Sequence, residues 1–258
     1  MADSNIVRAE PKKVALITGG AMRIGAAIAR DLAAHGWSVA IHCRRSAASA
    51  DALSAEIEAT GGRAAVVAAD LADADALMRI VPAAQAALGP LTLLVNNASV
   101  YLEDQVGGLE LGRWQTQFDV NLRAPVFLAE AFAAQLPDGS EGNIVNMIDQ
   151  RVWKLTPEMT SYTLTKAALW AATQTLAQAL APRIRVNGIG PGPTAPNPRD
   201  GAEGLAREAA GVLLGRQVDL ADYGRTIRFL VETPSITGQM IAVDSGQHLA
   251  WRTPDIVD

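Results

Sequence analysis

The chain has 258 residues, 49% of them hydrophobic and 19% charged, which is typical of a globular protein with one large core. A formal net charge of -5 and an aromatic content of only 5% argue against nucleic acid or an acidic membrane surface as the main partner. The single cysteine, Cys43, excludes an internal disulfide framework, and the three scattered histidines lack metal-ligand spacing. No targeting signal or membrane span is predicted, so we expect a cytoplasmic protein of one domain, residues 1–258, with 1–11 as a flexible arm.

Short apolar runs alternate with longer, Ala-rich stretches of helical pattern along the chain. The runs predict strands at 14–17, 38–42, 64–69, 91–95, 143–148, 183–189 and 240–243. The stretches predict helices at 24–35, 47–60, 73–88, 111–136 (with a break at Pro125), 160–181, 201–213 and 220–231. Such alternation predicts a parallel sheet covered on both faces. We therefore expect the α/β class, as a single doubly wound Rossmann-type domain with a sheet of about seven strands.

A glycine-rich turn follows the first predicted strand and opens the first predicted helix. Gly19 permits a tight turn, Gly25 permits close packing of helix on strand, and the free amides of the helix start suit a pyrophosphate. The acid that binds a ribose 2′-hydroxyl in NAD enzymes is missing at the end of the second strand. Arg44, Arg45 and Ser46 stand there instead, and two guanidiniums with a hydroxyl suit a 2′-phosphate. We therefore predict NADP(H) as the cofactor.

Two further features indicate an enzyme site. Gly, Pro, Asn and Asp crowd the segment 190–204, which follows a strand where such folds bind ligands, and we take 190–215 as the substrate loop region. Tyr162 and Lys166 are four residues apart, which places them on one face of the long helix. An ammonium group beside a phenol lowers the phenol's pKa, so this pair predicts proton exchange near neutral pH.

The order of these features resembles the short-chain dehydrogenase/reductase family over nearly the whole chain, from about residue 13 to 251. After the glycine turn, in chain order, the residues that match the family are Asp70, Asn97, Ala98, Asn121, Tyr162 and Lys166. The resemblance implies a single Rossmann-type domain, usually assembled as a homotetramer. The cofactor contacts that it implies, together with the turn and the arginines, are Gly19, Arg23, Ile24, Gly25, His42, Arg44, Arg45, Ser46, Asp70, Leu71, Asn97, Ala98, Tyr162, Lys166, Pro191, Gly192 and Thr194.

By the same resemblance, the catalytic residues lie in the second half of the chain. Asn121 would hold a water in the proton relay, Tyr162 would donate the proton, and Lys166 would bind the nicotinamide ribose and tune Tyr162. Asp70 and Leu71 would border the adenine. The segment Pro191, Gly192 and Thr194 would lie at the nicotinamide carboxamide.

Two positions depart from the usual family pattern. Arg23 stands where the family turn has a glycine, and Asp149 stands where a serine usually lies thirteen residues before the tyrosine. A serine hydroxyl donates to a developing alkoxide, whereas an ionised carboxylate cannot donate and repels an oxyanion. The site therefore suits a substrate that reacts at a ring nitrogen or presents N–H donors.

Both departures occur together in the pteridine reductases, which this chain resembles at further positions. The resemblance implies that Arg23 reaches cofactor phosphate and pterin, that Ser99 contacts the pterin or the cofactor, and that Tyr101 stacks on the pterin. With Asp149 and Tyr162 these residues complete the implied substrate site. The expected activity is NADPH-dependent reduction of a dihydropterin, such as dihydrobiopterin, dihydromonapterin or dihydrofolate.

Two alternative functions stay open from the sequence. One is a carbonyl reductase acting on a ketone or a 3-oxoacyl thioester, in which Asp149 is a structural acid at a strand end. The other is a sensor that binds NADP(H) without turnover, against which the full Asn121, Tyr162 and Lys166 set argues. Near the end of the chain, two interpretations stay open: His248 and Trp251 close a substrate pocket, their own or a neighbour's, or Trp251 packs at a subunit interface.

Overall fold

Seven parallel strands form one sheet in the computed structural model, which describes residues 13–196 and 201–251. The strands are β1 (Val14–Ile17), β2 (Ser38–Cys43), β3 (Arg63–Ala68), β4 (Leu93–Asn96), β5 (Gly142–Met147), β6 (Ile184–Pro191) and β7 (Met240–Val243). Their order is β3-β2-β1-β4-β5-β6-β7, and every neighbouring pair is parallel. The predicted doubly wound sheet is confirmed. The predicted arm, 1–11, and part of the predicted substrate loop, 197–200, lie outside the described residues.

Helices cover both faces of the sheet. They are α1 (Arg23–Ala34), α2 (Ala47–Ala59), α3 (Ala74–Leu88), α4 (Leu111–Phe118), α5 (Ala124–Gln135), α6 (Thr160–Leu180), α7 (Gly201–Ala210) and α8 (Ala221–Glu232). Apolar side chains of α1, α2 and α8 pack in one core cluster, and those of α3 and α5 pack in a second with Ala177 of α6. Strands that are buried on both faces need nearly continuous apolar sequence, which explains why β1, β2 and β4 were readable as strands.

Many boundaries differ from the prediction by one to three residues, and two of the differences have a clear local cause. β4 begins at Leu93 instead of residue 91, because the backbone N–H of Leu91 donates to the side chain of Gln135. The helical stretch predicted to break at Pro125 instead widens into a π-helical turn, Asp119–Arg123, and then continues as α5. Proline lacks an N–H and its ring crowds the preceding turn, so the strain falls just before the proline.

The chain reverses its winding direction between β1 and β4, which are neighbours in the sheet although β2 and β3 lie between them in sequence. In folds of this kind, ligands bind outside the carboxyl ends of the strands at such a switch point. The loops after β1, β4, β5 and β6 all open at this end. Every predicted site residue from 18 to 25, 96 to 101, 147 to 149 and 191 to 194 therefore belongs to one edge of the sheet.

Candidate active site

The glycine turn between β1 and α1 is held by the loop after β4. The Nδ2 of Asn97 donates to the carbonyl oxygens of Thr18 and Gly19 at 2.9 and 3.0 Å, and the Thr18 hydroxyl accepts from the backbone N–H groups of Asn97 and Ala98. A Cβ at Gly25 would meet the Gly19 carbonyl oxygen at 2.3 Å. Only glycine fits there, so the turn keeps its close backbone approach, as the sequence predicts for a pyrophosphate cradle.

Arg23 occupies the left-handed backbone region, with φ of 50°, although it is not a glycine. This conformation is costly for a side-chain-bearing residue and is found most often at functional sites. Its guanidinium Nη2 donates to the carbonyl oxygen of Ala195, at 3.2 Å, in the loop after β6. Arg23 therefore spans from the glycine turn to the loop that the sequence predicts to bind substrate. Ile24, beside it, packs against the core.

His42 does not reach the cleft, which corrects its predicted place among the cofactor ligands. Its ring is buried, with Nδ1 accepting from the N–H of Gly19 at 3.2 Å and Nε2 donating to the carbonyl of Ala69 at 3.2 Å. Both ring nitrogens are thus occupied by the protein. Desolvation lowers the pKa of His42 to about 4, so the ring is neutral and braces the glycine turn.

The arginine segment after β2 lies at the surface. Arg44 and Arg45 are exposed, Ser46 is half-buried, and Arg44 approaches the carboxylate of Asp70 at 3.8 Å. Asp70 also accepts from the backbone N–H of Ala72, which fixes the carboxylate after β3. The neighbouring Leu71, predicted with Asp70 beside the adenine, is buried, and its side chain belongs to the second core cluster.

Tyr162 and Asp149 form a direct hydrogen-bonded pair. The Tyr162 hydroxyl donates to Oδ2 of Asp149 at 2.8 Å, and Oδ1 of the same carboxylate accepts the backbone N–H of Arg151 at 2.8 Å. Asp149 extends from the end of β5 and caps a 3₁₀ turn, Gln150–Val152, while Tyr162 lies in the first turns of α6. A carboxylate and a phenol that share one hydrogen can pass a proton between them.

Lys166 lies one helical turn beyond Tyr162, as the spacing predicts, but it does not lower the phenol's pKa. Its Nζ donates to the carbonyl oxygen of Met147 at 2.8 Å and stands 5.6 Å from the centre of the Tyr162 ring. Burial, followed by the nearby charge of Asp149, raises the pKa of Tyr162 well above its usual value. The predicted depression of that pKa is therefore wrong for this arrangement. Desolvation lowers the pKa of Lys166 to about 8.

Asn121 lies in the π-helical turn and is buried, with its amide fully engaged. Its Oδ1 accepts from the N–H of Val100 at 2.7 Å and from the Ser99 hydroxyl at 3.2 Å, and its Nδ2 donates to Val100 O and Thr165 Oγ1. The side chain thus fastens the loop after β4 to α6. A π-helical turn often marks a functional site, and here it aims Asn121 into the site.

Tyr101 stands over Tyr162, with ring centres 4.8 Å apart and planes at 83°. The hydroxyl of Tyr101 accepts a hydrogen bond from Nη1 of Arg151 at 2.9 Å. Sequence analysis missed Arg151, since an arginine after a strand has no periodicity that would single it out. The one available signal was its place two residues after Asp149.

The loop after β6 is closed by glycine and threonine. A Cβ at Gly192 would meet Asp244 Cα at 2.5 Å, so only glycine allows this close approach to the segment after β7. The Thr194 hydroxyl donates to the Gly192 carbonyl at 2.8 Å and contacts the hydroxyl of Tyr223 in α8. Pro191 ends β6 directly before this loop. These contacts hold the predicted carboxamide-binding segment against α8 and the segment after β7.

The segment 244–250, which follows β7, packs against the turn that follows Asp149. The buried carboxylate of Asp244 accepts from the backbone N–H and the Nδ1 of His248, at 2.8 and 2.7 Å. The His248 ring contacts Trp153 at 5.1 Å between centres, and Lys154 donates to the carbonyl of Ala250. His248 thus lies beside the site turn, as one of the two predictions for the tail requires. The side chain of Trp251 is exposed.

Within the two described stretches, no three His, Cys, Asp or Glu side chains cluster as metal ligands would. No helix described there is both long and apolar enough to cross a membrane.

Comparison with known proteins identifies the class. The family model described as short chain dehydrogenase matches residues 13–208. The chain belongs to the short-chain dehydrogenase/reductase family, a family of oxidoreductases. It is 33% identical over 244 residues to a 3-oxoacyl-[acyl-carrier-protein] reductase of Synechocystis, which covers 91% of this chain and 96% of that protein.

Solved structures include more similar chains. FolM alternative dihydrofolate reductase 1 from Brucella canis, complexed with NADP, is 53% identical, with a TM-score of 0.92 over 95% of this chain and 97% of that one. A blue fluorescent protein from a metagenomic library, in complex with NADPH, is 35% identical, with a TM-score of 0.84 over 91% and 97%.

Proposed function

We propose that this protein is an NADPH-dependent reductase of a dihydropterin. The observation that carries the proposal is the hydrogen bond between Tyr162 and Asp149, at the position where a carbonyl-reducing site has a serine. The Brucella FolM structures, whose names describe dihydrofolate reductases, support the substrate class.

The residues present fit the cofactor. Gly25 lets the glycine turn pack tightly against the start of α1, whose free amides suit a pyrophosphate. The exposed Arg44 and Arg45 suit a 2′-phosphate, in keeping with the NADP and NADPH named for the similar structures. When bound, NADPH supplies the hydride that reduces a C=N bond of the pterin. The loop region 190–215, as far as it is described, would cover the substrate.

The chain's own residues deliver the proton that must accompany the hydride. Tyr162, whose hydroxyl is held by the ionised Asp149 carboxylate at 2.8 Å, gives its proton to the ring nitrogen and becomes a phenolate. A proton taken up from solvent by the Asp149 carboxylate then passes to the phenolate and restores the pair. Lys166, charged below about pH 8, stabilises the phenolate that forms briefly. Tyr101, whose ring lies 4.8 Å from that of Tyr162, would stack on the flat ring, as the resemblance implies. A ketone would instead present Asp149 with a developing oxyanion, which the carboxylate repels.

The test is loss of NADPH absorbance with dihydrobiopterin, dihydromonapterin, dihydrofolate, ketones and 3-oxoacyl thioesters, for the wild type and for Asp149→Asn and Asp149→Ser. We expect pterin turnover that falls about 100-fold in Asp149→Asn, since one proton-transfer group is worth that much. Unchanged pterin turnover in Asp149→Asn would contradict the proposal. A sensor that binds NADP(H) without turnover would consume no NADPH, whichever acceptor is supplied.

The second candidate is reduction of a 3-oxoacyl thioester, favoured by the names of the Synechocystis and Staphylococcus aureus relatives. In that case carbonyl acceptors alone would turn over, and Asp149→Ser would preserve or raise their rate, because a serine hydroxyl can donate to the alkoxide.

The homotetramer and the cytoplasmic location remain predictions from the resemblance and the composition. Light scattering on the purified protein, together with fractionation of cells that express it, would test them.

A further inference from the structure

Arg151 is one member of a closed ring of contacts at the candidate site. Its backbone N–H donates to one oxygen of Asp149, whose other oxygen accepts from Tyr162. Its guanidinium donates to the hydroxyl of Tyr101, and the Tyr101 ring packs edge-on against Tyr162. Four residues are thus linked in a circle, and Arg151 joins the acid, through its backbone N–H, to the aromatic ring, through its guanidinium.

The side chain of Tyr101 needs such a link. Tyr101 is 44% exposed and lies in a loop without regular structure between β4 and α4. The backbone on either side is fixed, because Asn121 binds Val100 and Gln117 binds Leu102. These bonds leave the Tyr101 side chain free to choose a rotamer, and an exposed aromatic side chain loses entropy when it is ordered. The Arg151 bond holds its polar end.

The contact is built from two interactions. Nη1 of Arg151 lies 2.9 Å from the Tyr101 oxygen, and the guanidinium carbon lies 5.7 Å from the ring centre, within the range of a cation–π contact. A planar guanidinium can make both contacts at once, whereas a lysine ammonium offers a point charge on a flexible stem. The 3₁₀ turn fixes the start of the Arg151 side chain through Asp149.

We propose that Arg151 is a positioning residue, whose guanidinium fixes the Tyr101 ring and thereby sets the aromatic wall of the substrate pocket. The part of this inference that rests on the proposed function is the substrate class, a flat heteroaromatic ring; the contact between Arg151 and Tyr101 is independent of it. The guanidinium acts on the pocket through Tyr101, and the contact of Arg151 with Asp149 is made by the backbone N–H, which a side-chain substitution keeps. A fixed wall favours bound substrate in the ground state and the transition state alike, so its loss raises KM and leaves kcat nearly unchanged.

The experiment is a double-mutant cycle with Arg151→Met, Tyr101→Phe and the double variant. Arg151→Met removes the donor and keeps the stem, and Tyr101→Phe removes the acceptor and keeps the ring. We expect each single variant to raise KM for the dihydropterin by about fivefold, the scale of one partly exposed charge-assisted hydrogen bond. The double variant should be no worse than Arg151→Met, because Tyr101→Phe removes only the hydrogen bond, which Arg151→Met removes together with the cation–π contact.

The matched control is Arg30→Met, which deletes an exposed arginine in α1 that pairs with Glu56, far from the site. It should leave KM and kcat unchanged. Melting temperatures of all the variants show whether folding is intact. Arg151→Lys should recover part of the KM effect, since it restores a donor and a charge.

Three results would overturn the proposal: additive effects in the double variant, an unchanged KM in Arg151→Met, or a fall in kcat as large as the rise in KM. The wild type is assayed first, so that failure of the proposed function is seen separately. If the wild type reduces only carbonyls, pterin reduction fails, and the same cycle is run with the carbonyl acceptor. The Arg151 proposal then stands or falls on the coupling alone.

Discussion

At the scale of single residues, burial decides the charge of the groups around Asp149. The pKa of Tyr162 is raised by desolvation first and by the Asp149 charge second, while desolvation lowers the pKa of Lys166 to about 8. The phenol therefore stays protonated and ready to donate, and of these two groups the Lys166 ammonium titrates nearer to neutral pH.

We predict that kcat/KM falls as pH rises through about 8, because Lys166 loses its charge there. The loss should approach tenfold for each further pH unit. Steady-state rates measured from about pH 6 to 10 test this prediction. Lys166→Arg keeps a charge over the whole range, so whatever activity it retains should lack the decline. A wild-type profile that stays flat above pH 8 would contradict the assignment.

The positions of Tyr162 and Lys166 were predictable from the sequence, whereas the pKa values of their side chains were not. The four-residue spacing of Tyr162 and Lys166 places them on α6 as predicted. Spacing carries no information about depth, however, and depth sets the pKa of both groups. Arg151 was not predicted as a site residue for a different reason: only the fold shows that its guanidinium reaches Tyr101, fifty residues earlier in the chain.

At the scale of elements, β2 is tied to the glycine turn through one buried ring. His42 accepts from the Gly19 N–H and donates to Ala69, after β3, so three segments meet at a neutral imidazole. Its pKa of about 4 means that the folded state resists a proton that the unfolded chain accepts near pH 6.5.

We predict that His42 makes the stability depend on pH. The depressed pKa stabilises the fold fully above pH 6.5, and that contribution is lost as pH falls from about 6.5 to 4. Between pH 7 and about pH 5 the free energy of unfolding of the wild type should fall by about 2 kcal/mol more than that of His42→Asn, which keeps an acceptor but does not titrate. Urea unfolding at both pH values measures the difference. Equal losses in the two proteins would refute the prediction.

The elements themselves were largely predictable, and the exceptions have local causes. Continuous apolar runs marked the strands because both faces of the sheet are covered. The π-helical turn at Asp119–Arg123 was predicted only as a break at Pro125, since local sequence shows that a proline strains a helix but not how the helix accommodates it.

At the scale of the whole molecule, the switch point between β1 and β4 gathers the site from distant parts of the chain. The glycine turn, the arginine segment after β2 and the loop after β6 all open at the carboxyl edge of one sheet. A dinucleotide bound along this edge would connect segments that otherwise meet only through the core, and should stabilise the entire fold.

We predict that NADPH, at about a hundred times its Kd, raises the melting temperature by about 5–10 °C, and that NADH at the same concentration raises it much less. The difference should vanish in Arg44→Met/Arg45→Met, which lacks the proposed 2′-phosphate contacts. Arg63→Met, an exposed arginine at the start of β3, is the control and should keep it. Equal shifts from both nucleotides in the wild type would contradict the NADP preference.

The sheet order also bears on how the chain is made. β1 can pair with β2 soon after both are synthesised. The other edge of β1 stays unpaired until β4 has been made, since Ala15 of β1 pairs with Leu93 of β4. Until Asn97 has been added, nothing ties down the carbonyl oxygens of the glycine turn. A nascent chain stopped before β4 thus exposes an apolar central strand to its neighbours, the kind of open edge that promotes aggregation. Early truncations should accumulate as insoluble material instead of as a small nucleotide-binding domain.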